Sequence, residues 1–99
     1  MLNISKKSEG TDLTVTLEGR LDTSTAPELE GALKDDLESV TSLVFDLKEM
    51  QYISSAGLRV LLSAQKVMNK RGSMVIKNAS EQIMEIFDVT GFSEILTIE

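Results

Sequence analysis

The sequence predicts a single α/β domain in which a small mixed β-sheet packs with helices, in the order β-β-α-β-α-β-α-β. Two observations support this fold class. The chain has 99 residues, which is the length of one domain with one hydrophobic core. Its apolar residues also switch repeatedly between the alternation typical of strands and the spacing typical of helices. Because the later strands alternate with helices, we expect parallel pairing through right-handed crossovers and one domain over residues 1–99.

The strands are predicted from alternation and from short apolar runs. Residues 2–6 and 13–17 alternate apolar and polar side chains. The polar, glycine-containing stretch 8–12 between them is typical of a turn, so the two strands are expected to form a hairpin. Residues 48–53 are predicted to form a loop. Short apolar runs predict the later strands at 43–47, 74–77 and 95–98.

The first helix is predicted to begin near Thr25. Thr25 and Glu28 have the spacing of a capping box, and Pro27 falls in the first turn, where proline is tolerated. The apolar stripe of this helix consists of Leu29, Ala32, Leu33 and Leu37. The stripe predicts a helix that reaches about Leu37.

Two further helices are predicted later in the chain. Residues 55–71 carry apolar side chains at helical spacing, and Gly72 follows as a stop signal. The third helix is expected to begin after Ser80, whose side chain suits an N-cap, and to end before Gly91. Together with the strands, these helices complete the predicted order.

The composition excludes several classes of function. Ten Lys and Arg residues stand against 16 Asp and Glu, a net charge of −6, which argues against a nucleic-acid binder because such proteins neutralise phosphates. The absence of Cys and His excludes disulfides, thiolate or imidazole metal sites, and Ser-His or Cys-His nucleophile pairs. No apolar run approaches the ~18 residues of a membrane span, and residues 1–20 lack the apolar core of a signal peptide. We therefore expect a cytoplasmic, non-catalytic protein without metal, cofactor or membrane contact.

The segment 51–62 carries the most information about function. It begins a helix at Ser54 and Ser55, and we expect one of these serines to accept hydrogen bonds from the free N–H groups of the first turn. A cap requires neither a second serine nor Gly57, which costs about 1 kcal/mol against alanine inside a helix. We interpret Gly57 as leaving the surface open to close approach by another protein. A phosphate on one of the serines would be well placed, because a helix N-terminus favours negative charge.

The same segment resembles the Asp-Ser-Ser/Thr-Gly-Leu motif of STAS domains, in particular the stand-alone bacterial anti-sigma factor antagonists. The resemblance covers nearly the whole chain, in order. Residues 17–26 are similar to the family's Gly-x-Leu-Asp stretch before the first helix, and residues 43–47 to its central strand. Residues 86–92 are similar to its last helix and Thr-Gly-Leu/Phe exit. The resemblance implies a single STAS-type domain.

The resemblance also implies partner switching. An unphosphorylated antagonist of this family binds an anti-sigma factor that is also a serine kinase, and this binding releases a sigma factor. The kinase phosphorylates the motif serine and binding is lost, until a PPM-type serine phosphatase restores it. Aligned on Gly57 and Leu58, the phosphorylated serine falls on Ser55, with Ser54 as the second choice because it stands where the family has Asp.

The resemblance places the loop that contains Asp22 beside the motif. Asp22 has two interpretations of equal weight, a partner-facing carboxylate or a turn-forming one, and Thr25 is expected to cap the helix. The candidate partner-binding residues are Asp22, Thr23, Ser24, Ser54, Ser55, Gly57 and Arg59.

Arg59 is included on helix geometry rather than on the resemblance. It lies four residues after Ser55, on the same helical face, so it could pair with a phosphate there. Alternatively it meets an acidic partner surface, or it stays solvated, which is the default for a lone surface arginine. The segment 51–80 contains five basic residues and no acid: Arg59, Lys66, Lys70, Arg71 and Lys77.

Two other classes of function were weighed against the switch. A constitutive interaction module, such as a scaffold subunit or a STAS partner of a transport system, would have the same fold without regulated phosphorylation. An enzyme or nucleotide-binding domain fits less well, because the chain has neither G-x-x-x-x-G-K-[ST] nor G-x-G-x-x-G. A single exposed patch on a 10.9 kDa domain is compatible with a monomer, which we expect.

Overall fold

Four strands pair in chain order into one mixed sheet in the computed structural model, which describes residues 2–99. The strands are β1 (Leu2–Glu9), β2 (Asp12–Leu21), β3 (Ser42–Ile53) and β4 (Ser73–Lys77). β1 and β2 form the predicted antiparallel hairpin, and β3 pairs in parallel with both β2 and β4. The helices are α1 (Ala26–Leu33), α2 (Ser55–Arg71), α3 (Glu81–Thr90) and the short α4 (Phe92–Ile95). The predicted α/β class is confirmed.

The hydrophobic core lies against one face of the sheet. Successive strands align their buried side chains across this face, because residues two apart on a strand point the same way. Two such rows are Leu13, Leu43 and Met74, and Val15, Phe45 and Ile76. Helices α2 and α3 complete the core with Leu61, Met68, Ile83 and Phe87, all of them fully buried.

The helix ends follow their sequence signals in α2 and α3. The Ser80 hydroxyl accepts a hydrogen bond from the N–H of Ile83 at 3.2 Å, as an N-cap does. Gly91 ends α3 with a φ of +82°, a left-handed conformation that glycine adopts without strain. Gly72 ends α2, so all three predictions are confirmed.

The prediction of a loop over 48–53 is wrong, because β3 continues to Ile53. Register shifts between Thr16 and Glu18 and between Gly19 and Arg20 allow the long β2 to follow it. These irregularities break the alternation of two, so the buried positions Met50 and Ile53 are three residues apart. Because the apolar residues of this segment do not alternate with a period of two, the sequence pattern did not predict the last part of β3.

Two other boundaries differ from the predictions. α1 ends at Leu33 and a 3₁₀ turn follows at Asp36–Glu38. Lys6 Nζ donates to the Ala32 carbonyl at 3.0 Å and to Asp36 Oδ2 at 2.7 Å, so it contacts the chain on both sides of this break. The expected strand at 95–98 is reduced to one isolated parallel bridge between Ile76 and Ile98. α4 takes up Ile95, the first residue of the expected strand.

Within residues 2–99, no helix combines the length and apolar character that crossing a bilayer requires.

Candidate functional site

The candidate site forms where β2 and β3 end side by side. Parallel neighbours finish at the same edge of a sheet, and the loops that follow them meet there. Leu21 and Ile53 are paired at this edge. The N–H of Ser54 then donates to the carbonyl of Leu21 at 2.8 Å, which joins the start of α2 to the end of β2, directly before the loop 22–25. The structure therefore brings together the two segments in which the sequence predicts site residues.

The two serines have different surroundings. Ser54 has extended backbone at the N-cap of α2, and its half-buried side chain accepts from the N–H of Gly57 at 3.4 Å. Ser55 is the first residue of the helix and is exposed, and its hydroxyl has no hydrogen-bond partner within residues 2–99. The expectation that one serine caps the helix is thus confirmed for Ser54. The hydroxyl of Ser55 is accessible for other chemistry.

Gly57 does not have the role that its sequence position indicated. It is buried, and a Cβ at this position would lie 2.6 Å from Leu21 Cγ and 3.0 Å from Ile53 Cγ1. The interpretation of Gly57 as an open, partner-facing surface is therefore wrong. Glycine is favoured here because the first turn of α2 lies directly on the ends of β2 and β3.

Asp22 organises the loop before α1. Its Oδ1 accepts from the Ser24 hydroxyl at 2.8 Å and from the backbone N–H groups of Ser24 and Thr25 at 3.0 and 3.1 Å. These donors, the Ser24 hydroxyl foremost, hold the pKa of Asp22 below its ordinary value, against a smaller opposing effect of desolvation. The interpretation of Asp22 as a turn-forming carboxylate is confirmed. Thr23 and Ser24 are exposed beside it.

Thr25 occupies the N-cap position of α1 but makes no side-chain cap. Its hydroxyl instead donates to the carbonyl of Arg20 at 2.8 Å and accepts from the N–H of Asp22 at 2.8 Å. The predicted capping box with Glu28 is therefore wrong. Through the bond to Arg20, the buried Thr25 side chain connects the loop 22–25 to β2.

Arg20 and Tyr52 form a pair that the sequence did not indicate. They are register partners on β2 and β3, and the guanidinium of Arg20 lies 4.5 Å from the centre of the Tyr52 ring, a cation–π distance. Arg20 Nε is also 3.9 Å from Asp22 Oδ2. The pairing could have been found only by extending β3 through the segment that was predicted to be a loop.

Arg59 is exposed one turn after Ser55 and points into the space between α1 and α2. It lines a cavity of about 220 Å³ together with Thr23, Ala56 and Glu30. It makes no ion pair with any residue from 2 to 99. Its guanidinium is therefore available at the rim of the site, on the side of Thr23. Residues 2–99 contain no cluster of three or more side chains suited to hold a metal ion.

Comparison with known proteins gives the family of this fold and site. The STAS domain family model matches residues 3–99. The chain is 33% identical over 98 residues to the anti-sigma-B factor antagonist of Bacillus subtilis (strain 168), an alignment that covers 98% of this chain and 90% of that protein. The match therefore includes every residue of the candidate site.

Solved structures share the architecture. A crystal structure of an anti-sigma factor antagonist from Mycobacterium paratuberculosis superimposes with a TM-score of 0.89 at 21% identity, covering 99% of this chain and 85% of that one. The Bacillus cell fate determinant SpoIIAA in its phosphorylated form gives a TM-score of 0.77 at 14% identity, covering 98% and 91%. At these identities the likeness concerns the fold. With the family match and the relative in Bacillus subtilis, it establishes that the chain belongs to the STAS domain family, as its motif resemblance implied.

Proposed function

We propose that this protein is a cytoplasmic, non-enzymatic anti-sigma factor antagonist. In this proposal it binds an anti-sigma factor with serine kinase activity and thereby releases a sigma factor. Phosphorylation of Ser55 ends the binding, and a PPM-type phosphatase restores it. The observation that carries the proposal is the exposed hydroxyl of Ser55, which has no hydrogen-bond partner among residues 2–99, at the start of α2 beside the loop 22–25. The name of the Bacillus subtilis relative supports it.

Ser55 is a better acceptor than Ser54 on physical grounds. The oxygen of Ser54 already accepts from the helix N–H of Gly57, and its side chain is half-buried. A kinase would therefore have to reach a half-buried oxygen that is already engaged with the first turn of α2. Ser55 lies in the first turn, where the helix dipole favours negative charge. Its phosphorylation requires no hydrogen bond to break.

The phosphate would act as a switch by placing charge and bulk on the docking surface. Phosphoserine adds about −1.5 to −2 charges, and the carboxylate of Asp22 lies in the neighbouring loop. Burying such a charge without a partner costs several kcal/mol. A loss of about 3–4 kcal/mol corresponds to a few hundredfold in affinity, which is enough to exchange one partner for another. Arg59 would steer the phosphate or an acidic side chain of the kinase.

The test uses the purified anti-sigma factor kinase from the same organism. We expect wild type and Ser55→Ala to bind it with similar Kd in calorimetry, and Ser55→Asp to bind at least a hundredfold more weakly. Incubation with ATP should place one phosphate on wild type, mapped to Ser55 by mass spectrometry, and none on Ser55→Ala. Ser54→Ala is the matched control, and it should still be phosphorylated.

Other outcomes would contradict specific parts of the proposal. Equal binding by all variants with no phosphate on either serine would identify a constitutive interaction module. If the phosphate is mapped to Ser54, the assignment of Ser55 as the phosphorylated residue is wrong. If Arg59→Ala changes neither the phosphorylation rate nor the affinity, Arg59 has no part in the switch.

A further inference from the structure

A shallow apolar groove, here named the α3 groove, lies between the end of β3 and one face of α3. It has a volume of about 360 Å³ and is lined by Tyr52, Gln82, Glu85, Ile86 and Val89 among others. Val89 is 81% exposed and Tyr52 37% exposed. Val89 and the Tyr52 ring thus give the groove apolar surface that is open to solvent.

The α3 groove is continuous with the candidate site. Tyr52 forms one wall of the groove and precedes Ser54 by two residues. Its ring is held by the Arg20 guanidinium at 4.5 Å, and Arg20 in turn approaches Asp22 at 3.9 Å. A partner that covers the loop 22–25 and Ser55 would therefore extend onto the groove. The held ring gives that partner an aromatic contact with little loss of side-chain freedom.

The charge around the groove limits what can bind there. Glu81, Glu85 and Asp88 are exposed on α3, and none of them has an ion pair within residues 2–99. Residues 81–99 hold five acids and no base. An occupant must therefore supply both apolar side chains and positive charge. An anionic lipid surface would be repelled by this charge, as would the corresponding face of a second copy.

We propose that the α3 groove is a second docking site for the anti-sigma factor, and that it receives a segment of that protein with apolar side chains flanked by lysine or arginine. The identity of the partner rests on the proposed function above. The apolar residues of the segment would cover Val89 and Ile86, and its basic residues would pair with Glu85. The groove would supply affinity that does not depend on the phosphorylation state of Ser55.

The chain offers matched pairs of variants for the test. Val89→Ser removes the exposed apolar contact and Glu85→Lys reverses the charge in the groove. Ile95→Ser and Glu94→Lys make the same changes on α4, where Ile95 is 47% exposed and neither residue lines the groove. In calorimetry with the purified kinase, each groove variant should raise Kd about tenfold, and the α4 variants should leave Kd unchanged. Glu85→Lys should also weaken the dependence of Kd on salt.

Affinities that are equal for the groove and α4 variants, while Ser55→Asp abolishes binding, would overturn the docking proposal and leave the proposed function standing. The docking proposal would also be overturned if wild type self-associated and Val89→Ser did not, since the occupant would then be a second copy. The same holds if wild type bound anionic vesicles and Val89→Ser did not, since the occupant would then be a lipid surface.

If wild type does not bind the kinase, the proposed function fails and a second measurement is needed to test the α3 groove alone. An 18-residue amphipathic Leu/Lys helical peptide is titrated into ¹⁵N-labelled protein, with a Leu/Glu peptide as control. Amide shifts confined to Tyr52 and 82–90 with the basic peptide alone support a site for basic apolar segments. Shifts spread over all acidic regions, or none, overturn it.

Discussion

Gly57 is the residue at which the first turn of α2 touches the end of β2. Leu21 is fully buried, so its Cγ cannot retreat from a methyl group that would lie 2.6 Å away. Overpacking of this kind costs about 1–3 kcal/mol, against a gain in helix propensity of about 1 kcal/mol. We expect Gly57→Ala to lower the free energy of unfolding by about 1 kcal/mol, measured by urea denaturation.

Gly31 supplies the control for that measurement. It lies on α1, and a Cβ there would meet no atom within 4 Å. Gly31→Ala should therefore raise the free energy of unfolding by up to about 1 kcal/mol. A gain in stability at both glycines would show that Leu21 can move aside after all.

Asp22 gives the loop before α1 a dependence on pH. Its folded-state pKa is lowered, chiefly by the Ser24 hydroxyl, so its contribution to stability is present above the unfolded pKa of about 3.9. That contribution is lost as the pH falls toward the folded pKa. We expect the stability difference between wild type and Asp22→Asn to be constant from pH 7 to about 5 and to shrink below about 4. The ¹³Cγ shift of Asp22 should titrate below the ordinary range, and titration at or above it would contradict the hydrogen-bond arrangement.

At the scale of elements, Lys6 links β1 to the end of α1. Its ammonium donates to the Ala32 carbonyl and pairs with Asp36. Both side chains are partly exposed, so the pair is worth no more than about 1 kcal/mol. Lys6→Met should lower stability by about 0.5–1 kcal/mol at low salt and by less at 1 M NaCl, in denaturant melts.

The neighbouring Lys7→Met is the matched control for this prediction, since Lys7 is exposed and has no ion pair within residues 2–99. It should have little effect at either salt concentration. Equal losses from the two variants would mean that the lysines act only through net charge.

The elements that the sequence predicted well are those whose signals are local. The β1–β2 hairpin, α2 and the Ser80 cap depend on neighbours in the chain. Three features depend instead on residues of β2, which are distant in sequence and lie beside β3 in the sheet. These features are the end of β3, the role of Gly57 and the Arg20–Tyr52 pair. Ser54, Ser55 and Asp22 could be selected from the sequence, but the division of cap and free hydroxyl between the two serines required the structure.

For the molecule as a whole, a negative charge on Ser55 should leave the fold intact. The residue is exposed at a helix N-terminus and its hydroxyl holds no hydrogen bond within residues 2–99. Negative charge there stabilises a helix by about 0.3–1 kcal/mol. We expect Ser55→Asp to have a Tm equal to or slightly above that of Ser55→Ala in thermal melts followed by circular dichroism. A marked fall in Tm would mean that the proposed switch works by unfolding the domain rather than by blocking contact with the partner.

The hydrogen bond from Ser54 to Leu21 has a practical consequence for protein engineering. The position of the serine pair is set by that backbone contact and by the packing of Leu21 beneath Gly57, and neither involves residues 23 and 24. Exposed positions of the loop, Thr23 first, could therefore be varied, as in a library of recognition loops, with Ser55, the proposed phosphate acceptor, kept in register. The domain would then serve as a scaffold on which new partners are made sensitive to a kinase.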